Sequence, residues 1–130
     1  MATILVIDDQ APIRELLRLV LEGAGHQVME ASCGQLGLAL YRNKPTDLVI
    51  TDIGMPEMNG LEVISELRSR FVDVKVIAIS GESEEVLNEA KQLGARRTLR
   101  KPFGMDNLLD AIQYELAQVD SHAFTGVALN

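Results

Sequence analysis

The alternation of short apolar runs with amphipathic stretches is the feature of this sequence that most constrains its fold. The run from Ile4 to Ile7 is continuously apolar, as is typical of a strand that is covered on both faces. Comparable runs lie at 26–31, 48–50 and 76–79, and a shorter, charged run lies at 97–100. Amphipathic stretches separate these five runs, and another follows the last. Five strands alternating with five helices predict a parallel sheet with helices on both faces.

Proline and glycine residues indicate where the predicted helices begin and end. Pro12 opens the first helix, where its missing N–H has no intrahelical partner to lose. Gly23 and Gly25 end that helix, and Pro45 ends the second. Gly94 ends the fourth helix in the same way. The helical spacing therefore has clear boundaries along the chain.

Residues 1–118 are predicted to form one domain, because the periodic pattern fades after about Gln118. Residues 119–130 are expected to be a tail, either a disordered end or the start of a linker to a longer protein. The N-terminus lacks a secretory signal, and no segment approaches the roughly 20 apolar residues of a membrane span. A cytoplasmic location without membrane contact is expected.

The composition indicates a self-folding domain that does not bind nucleic acid. Hydrophobic residues make up 47% of the chain, which is enough for a core. The net charge of -7 argues against nucleic-acid binding, because phosphate backbones are bound by lysine and arginine patches. The single cysteine, Cys33, cannot form an internal disulfide and is expected to be a small buried residue in a reducing compartment.

Five polar residues lie at or just after the ends of the predicted strands. Asp8 and Asp9 follow the first strand, Asp52 the third, Ser80 the fourth and Lys101 the fifth. The carboxyl ends of parallel strands share one edge of the sheet, where ligands of such folds bind. The five side chains are therefore expected to lie close together.

Clustered carboxylates repel one another unless one keeps its proton or a cation neutralises them. Mg²⁺ prefers oxygen ligands and is commonly held by one or two carboxylates together with phosphate oxygens. An aspartate beside such a cation can act as a nucleophile toward phosphorus. In that arrangement Lys101 offers a positive charge and Ser80 a hydroxyl to the phosphoryl oxygens.

Each of these residues also has a purely structural interpretation. Asp8 or Asp9 could cap the first helix, Asp52 and Ser80 could be turn residues, and Lys101 could be a solvated charge. The joint occurrence of all five at one edge, in strand order, favours a site over five separate structural explanations.

Four motifs resemble those of response-regulator receiver domains of two-component signalling, which include the chemotaxis response regulator. They are ILVIDD, LVITDIGMPEMNG, VIAISG and RKPF, in that order, and the resemblance extends from Ile4 to about Gln118. It implies a flavodoxin-like three-layer α/β sandwich whose five parallel strands have the order 2-1-3-4-5. It further implies a signalling domain that catalyses at most its own phosphorylation and dephosphorylation.

The resemblance also implies a role for each matching residue. Asp52 would be the phosphoacceptor. Mg²⁺ would be held by Asp9, Asp52 and the backbone carbonyl of Gly54, with Asp8 acting through a coordinated water.

Ser80 and Lys101 would contact the phosphoryl group, and the Lys101–Pro102 peptide bond would be cis. The donor would be a histidine on a separate sensor histidine kinase or histidine phosphotransfer protein. His26 and His122 have no context that indicates a donor in this chain.

Two features depart from the family pattern. Thr98 stands where receivers usually place an aromatic residue or histidine, so the usual inward swing of that side chain is in question. The fifth strand also carries Arg96, Arg97 and Arg100, which either protect a charged edge strand or form a basic docking patch for an acidic partner. An output partner is expected near strand five and helices four and five.

Two other function classes are considered. Thr98 is the feature that favours a phosphorylation-independent interaction module on the same fold. A phosphohydrolase related to haloacid dehalogenases is disfavoured, because the general acid two residues after the nucleophile is missing. Gly54 and Gln10 occupy the corresponding positions after Asp52 and Asp8.

Overall fold

The computed structural model describes residues 1–118, and its ten helices and strands alternate along the chain. They are β1 (Thr3–Ile7), α1 (Ala11–Gly23), β2 (Gln27–Ala31), α2 (Gly34–Asn43), β3 (Leu48–Asp52), α3 (Gly60–Arg70), β4 (Val76–Ser80), α4 (Glu84–Leu93), β5 (Arg97–Arg100) and α5 (Met105–Ala117). Residues 119–130, predicted to be a tail, lie outside the described residues.

All strands pair in parallel, in the order β2-β1-β3-β4-β5. This confirms the flavodoxin-like fold with strand order 2-1-3-4-5. The central strand β3 is buried along its whole length, as is β4, so their nearly continuous apolar sequences follow from burial on both faces. Asp52 and Ser80 are the last residues of β3 and β4, whereas the sequence placed them just after the strands.

Two apolar layers hold the helices to the sheet, one on each face. Leu5, Val49 and Ala78 point toward α2, α3 and α4, where they pack with Leu67 and Leu87. On the opposite face, residues of the same strands pack against α1 and α5: the buried residues there are Ile4, Val6, Leu17, Leu21, Leu48, Ile50, Ile77, Ile79, Leu108, Ala111 and Ile112. Because the helices cover the two faces of the sheet, the carboxyl ends of the strands lie along an edge between the layers.

The N-terminus of α1 tests whether Asp8 or Asp9 caps this helix. Gln10 occupies the N-cap position and makes no side-chain cap bond, while Pro12 lies in the first turn. Capping by Asp8 or Asp9 is therefore wrong. The carboxylate of Asp8 instead accepts a hydrogen bond from the Gln10 backbone N–H at 2.9 Å.

Helix α2 packs through small residues. An added Cβ on Gly37 would collide with the side chain of Ile7, so glycine allows the close approach of the helix to β1. Cys33 precedes this helix and is exposed, so its predicted burial is wrong. Because the buried face of α2 is formed by Gly34, Gly37 and Tyr41, the residue before the helix points outward.

The remaining boundaries are close to those predicted. The second strand begins at Gln27 instead of His26. The imidazole Nδ1 of His26 accepts a hydrogen bond from the Ala2 backbone N–H at 3.3 Å, which is a structural role. Within residues 1–118, no helix has both the length and the apolar character needed to cross a bilayer.

Candidate functional site

Three carboxylates converge at the carboxyl edge of the sheet. One oxygen from each of Asp8, Asp9 and Asp52 lies within 4.8 Å of the others. Strands β1 and β3 are neighbours in the sheet, with Ile7 paired to Thr51, so their ends bring the acid pair beside Asp52. Asp8 and Asp52 are buried and Asp9 is exposed, so the cluster opens to solvent on one side.

Lys101 contributes the positive charge of this edge. Its Nζ lies 3.5 Å from Oδ1 of Asp52, and its side chain is 31% exposed. The backbone N–H of Lys101 donates to the carbonyl of Ser80 at 2.8 Å, which holds the segment after β5 against the end of β4. The Lys101–Pro102 peptide bond is cis. The lysine is thus fixed beside the acid cluster by its own backbone.

Ser80 is buried at the end of β4, with 1% of its surface exposed. Its Oγ accepts a hydrogen bond from the Glu82 backbone N–H at 2.9 Å, so the hydroxyl does stabilise the turn after β4. This bond uses the oxygen as an acceptor, and the hydroxyl can still donate its proton elsewhere. The turn interpretation and a role at the site are therefore compatible.

The loop after Asp52 is fixed tightly to the end of β3. Asn59 caps α3 through a capping box with Glu62, in which each side chain accepts from the other's backbone N–H. An added Cβ on Gly60 would collide with the carbonyl oxygen of Asp52 and lie 2.6 Å from the Cα of Ile53. The start of α3 therefore lies directly against the backbone of Asp52.

Burial raises the pKa of the Asp8 carboxyl group above its ordinary value of 3.8, and the charges of Asp52 and Asp9 raise it further. The hydrogen bond from the Gln10 N–H and the charge of Lys101 act in the opposite direction without reversing the shift. The surroundings of Asp8 therefore disfavour the charged form of its carboxyl group.

The donor set of this edge fits a hard divalent cation. Three carboxylates with oxygens within 4.8 Å of one another supply the ligand type that Mg²⁺ prefers, and the exposed side of the cluster leaves room for its waters. Gly54, whose carbonyl was an expected ligand, is exposed in the loop after β3. A Cβ on Gly54 would lie 3.4 Å from Oε1 of Glu82, so the loop after β3 approaches the turn after β4 at these two residues.

Thr98 is half-buried and pairs with Ala78 of β4, whose side chain packs on the α4 side of the sheet. Side chains of paired residues share a face in a parallel sheet. Thr98, the residue that departs from the aromatic or histidine of the family pattern, therefore lies on the α4 face of β5.

Two of the three arginines at β5 pair with one buried acid of α5. Arg96 and Arg97 each contact the carboxylate of Glu115 through Nε, at 3.1 and 3.5 Å, and Glu115 is 4% exposed. The guanidinium of Arg97 also lies over the ring of Tyr114, 5.2 Å from its centroid. The docking-patch interpretation did not include this contact with α5. Of the two arginines within β5, Arg97 is half-buried and Arg100 is exposed.

Sequence reasoning missed Arg14 and Glu30, which lie beside the acid pair. The guanidinium of Arg14 donates to the carbonyl of Asp8 at 2.7 Å and lies 3.4 Å from Glu30. The signal was present, because a charged residue within the apolar second strand calls for a partner.

A sequence profile described as the response regulator receiver domain matches residues 4–113. The chain belongs to this receiver domain family. This receiver domain is 40% identical over 109 residues to the KDP operon transcriptional regulatory protein KdpE of Escherichia coli, with 83% of this chain and 48% of that protein covered. It is 33% identical over 111 residues to sporulation initiation phosphotransferase F of Bacillus subtilis, with 85% and 90% covered.

The fold of this receiver domain is likewise similar to solved structures. The crystal structure of response regulator protein TrrA from Thermotoga maritima, in complex with Mg²⁺–BeF, has a TM-score of 0.82 and 34% sequence identity. The match covers 88% of this chain and 99% of that chain. In contrast, this chain spans about half the length of KdpE, at 48%.

Proposed function

We propose that this receiver domain is a Mg²⁺-dependent switch in two-component signalling that accepts a phosphoryl group on Asp52. The convergence of Asp8, Asp9 and Asp52 beside Lys101 is the observation that carries this proposal. The Mg²⁺–BeF complex of the similar TrrA structure supports it. A cytoplasmic location accords with such a role and remains a prediction of the sequence.

The residues divide the work of phosphoryl transfer among them. A carboxylate oxygen of Asp52 forms the new bond to phosphorus, while the bond from phosphorus to the donor imidazole nitrogen breaks and leaves its electron pair on that nitrogen. Asp9, Asp52 and the Gly54 carbonyl would hold Mg²⁺, with Asp8 acting through a water. When bound, the ion neutralises negative charge on the phosphoryl oxygens. Lys101 supplies a further positive charge beside Asp52.

The switch follows from the charge that phosphorylation adds. A phosphoryl group adds about -1.5 to -2 charges and several strong acceptor oxygens. The Ser80 hydroxyl and the Lys101 ammonium can donate to these oxygens, and Ser80 would draw the turn at Glu82 inward as it does so. A differential gain of about 2 to 3 kcal/mol would shift the populations of two conformations about 30- to 150-fold.

The phosphoryl donor would be a histidine of a sensor histidine kinase or a histidine phosphotransfer protein. The output partner would bind near β5, α4 and α5. Because Arg96 and Arg97 contact Glu115, Arg100 is the arginine of β5 that offers its charge to such a partner. The chain would act on no separate substrate, beyond promoting its own phosphorylation and dephosphorylation.

Acetyl phosphate with Mg²⁺ tests the acceptor directly. We expect intact mass spectrometry to show one added phosphoryl group on the wild type and none on Asp52→Asn. Asp110→Asn, which removes an exposed carboxylate from α5, is the matched control and should be phosphorylated like the wild type. Equal phosphorylation of the wild type and Asp52→Asn would exclude Asp52 as the acceptor.

Thr98 favours one second candidate, an interaction module that works without phosphorylation. Threonine cannot fill the volume of an aromatic ring, so the acid site and the β5 surface could be uncoupled. Beryllofluoride with Mg²⁺ separates the two functions by NMR. Amide shifts that extend from Ser80 to Lys101 support the switch, whereas shifts confined to the acid loops support the module.

A further inference from the structure

We propose that Arg14 is a positioning residue for the acid site, holding the Asp8–Asp9 segment in place through the Asp8 backbone. This inference rests on the proposed Mg²⁺-dependent function. Arg14 lies on α1, and its Nη1 donates to the Asp8 carbonyl oxygen at 2.7 Å. Its side chain is 18% exposed, so the guanidinium is largely enclosed between the helix and the sheet.

Glu30 of β2 orients the guanidinium of Arg14. The Nε of Arg14 lies 3.4 Å from one carboxylate oxygen of Glu30, and Nη1 of Arg18 lies 3.1 Å from the other. A planar guanidinium can serve two acceptors at fixed angles, which a lysine ammonium does less well. Arg14 therefore connects the neighbouring strand β2 to the loop that carries the acid pair.

The contacts of Asp8 leave its segment little freedom. Its backbone N–H donates to the Ala31 carbonyl at 3.1 Å, and its own carbonyl accepts from Arg14. Its carboxylate accepts from the Gln10 N–H at 2.9 Å. Arg14 is the member of this set that acts through a side chain from outside the loop. Loss of its bond would free the Asp8 carbonyl and, with it, the direction in which Asp8 and Asp9 point.

The sign of the effect distinguishes positioning from simple electrostatics. As a nearby positive charge, Arg14 opposes the binding of a divalent cation, so its removal would tighten Mg²⁺ binding. As a positioning residue, its removal loosens the carboxylates and weakens Mg²⁺ binding. Residues that orient metal ligands typically change metal affinity about 10- to 100-fold when they are lost.

Calorimetric titration with Mg²⁺ alone provides the test. We expect Arg14→Gln to weaken Mg²⁺ binding about tenfold or more. The matched control is Arg18→Gln, which removes the same charge from the same helix and the same Glu30 partner, and should stay within about twofold of the wild type. Arg18 is 46% exposed. The amide proton resonance of Gln10 should broaden or shift in Arg14→Gln and stay in place in Arg18→Gln.

Arg14→Lys keeps the charge and guards against a loss of folding in Arg14→Gln. We expect it to bind Mg²⁺ more weakly than the wild type, because an ammonium cannot reproduce the forked contact with Asp8 and Glu30. Wild-type or tighter binding by either Arg14 variant would overturn this inference alone. Absence of Mg²⁺ binding by the wild type would overturn the proposed function itself.

Discussion

Asp8 has 3% of its surface exposed, and its carboxylate lies among those of Asp9 and Asp52. Burial and this like charge raise its pKa, so the folded state binds the Asp8 proton more tightly than the unfolded chain does. The resulting cost to stability is absent below the ordinary pKa of 3.8 and complete above the raised pKa of the folded state. At neutral pH, the metal-free site therefore weakens the fold that carries it.

We predict that Asp8→Asn stabilises the metal-free protein at pH 7. Asparagine keeps an oxygen that can accept from the Gln10 N–H but carries no charge, so it removes the cost of burying a charge and the repulsion from Asp52 and Asp9. The gain in the free energy of unfolding should shrink as the pH falls toward 3.8, where Asp8 of the wild type is itself protonated. Urea unfolding with a chelator present, at a series of pH values, measures this difference.

Asp110→Asn, on the exposed face of α5, is the control for this experiment and should change stability by less than about 0.5 kcal/mol at pH 7. A wild type that is more stable than Asp8→Asn at neutral pH would contradict the conclusion that the charged form of Asp8 destabilises the metal-free fold.

Some residues of the site can be predicted from their position at the end of a strand, and others cannot. Asp8, Asp52 and Lys101 could be brought together from sequence, because parallel strands all end at one edge. Arg14 and Glu30 could not be paired from sequence, since they lie on different elements and nothing in either pattern names the partner. Residue type and strand position thus predict the acid cluster but not the contact of Arg14 with Glu30 beside it.

Helix α5 is joined to β5 and the residue before it by ion pairs to the buried Glu115. The carboxylate of Glu115 receives Arg96 and Arg97, while its backbone carbonyl accepts from Nζ of Lys75 at 2.7 Å. The element pattern predicted both the strand and the helix but interpreted the arginines as edge protection or a docking patch. A periodic pattern reports which residues are apolar, and it does not show where a buried acid meets a neighbouring strand.

We predict that Glu115→Gln lowers the free energy of unfolding by about 1 to 3 kcal/mol, because two charge-assisted contacts lose their acceptor charge. Chemical denaturation followed by circular dichroism measures the loss. Glu66→Gln is the matched control, since Glu66 pairs with Arg70 on the exposed face of α3 with both side chains about half exposed. It should cost less than about 0.5 kcal/mol. Equal losses of unfolding free energy in the two variants would mean that burial of Glu115 does not strengthen its ion pairs.

Helix faces were harder to predict than helix positions. Leu16 fits the apolar spacing of α1 and Leu36 that of α2, yet they are 44% and 42% exposed. The α2 helix approaches β1 through Gly37, and glycine carries no hydrophobic signal. The sheet order, by contrast, came from the resemblance, and the structure confirms it.

At the scale of the whole molecule, the proposed Mg²⁺ binding at the acid edge would be coupled to the stability of the fold. A ligand that binds only the folded state stabilises it by about 2.7 kcal/mol at a concentration of about 100 times its Kd. We predict that MgCl₂ raises the unfolding midpoint of the wild type beyond the effect of KCl at the same ionic strength. Asp52→Asn should show a smaller rise, because one carboxylate is lost from the cluster. Thermal unfolding followed by circular dichroism compares the four conditions, and equal responses to the two salts would argue against a specific site.

The order of the strands places Asp52, the proposed phosphoacceptor, two strands away from the edge strand β5. Just past the strand tips, the amide of Ile53 is bonded to the carbonyl of Ile79, and the amide of Lys101 to that of Ser80. These two hydrogen bonds link the end of β3 to β4 and the end of β4 to the segment after the edge strand β5. The backbone beside Asp52 is therefore connected to the segment that carries Lys101 at the ends of the strands, outside the apolar layers.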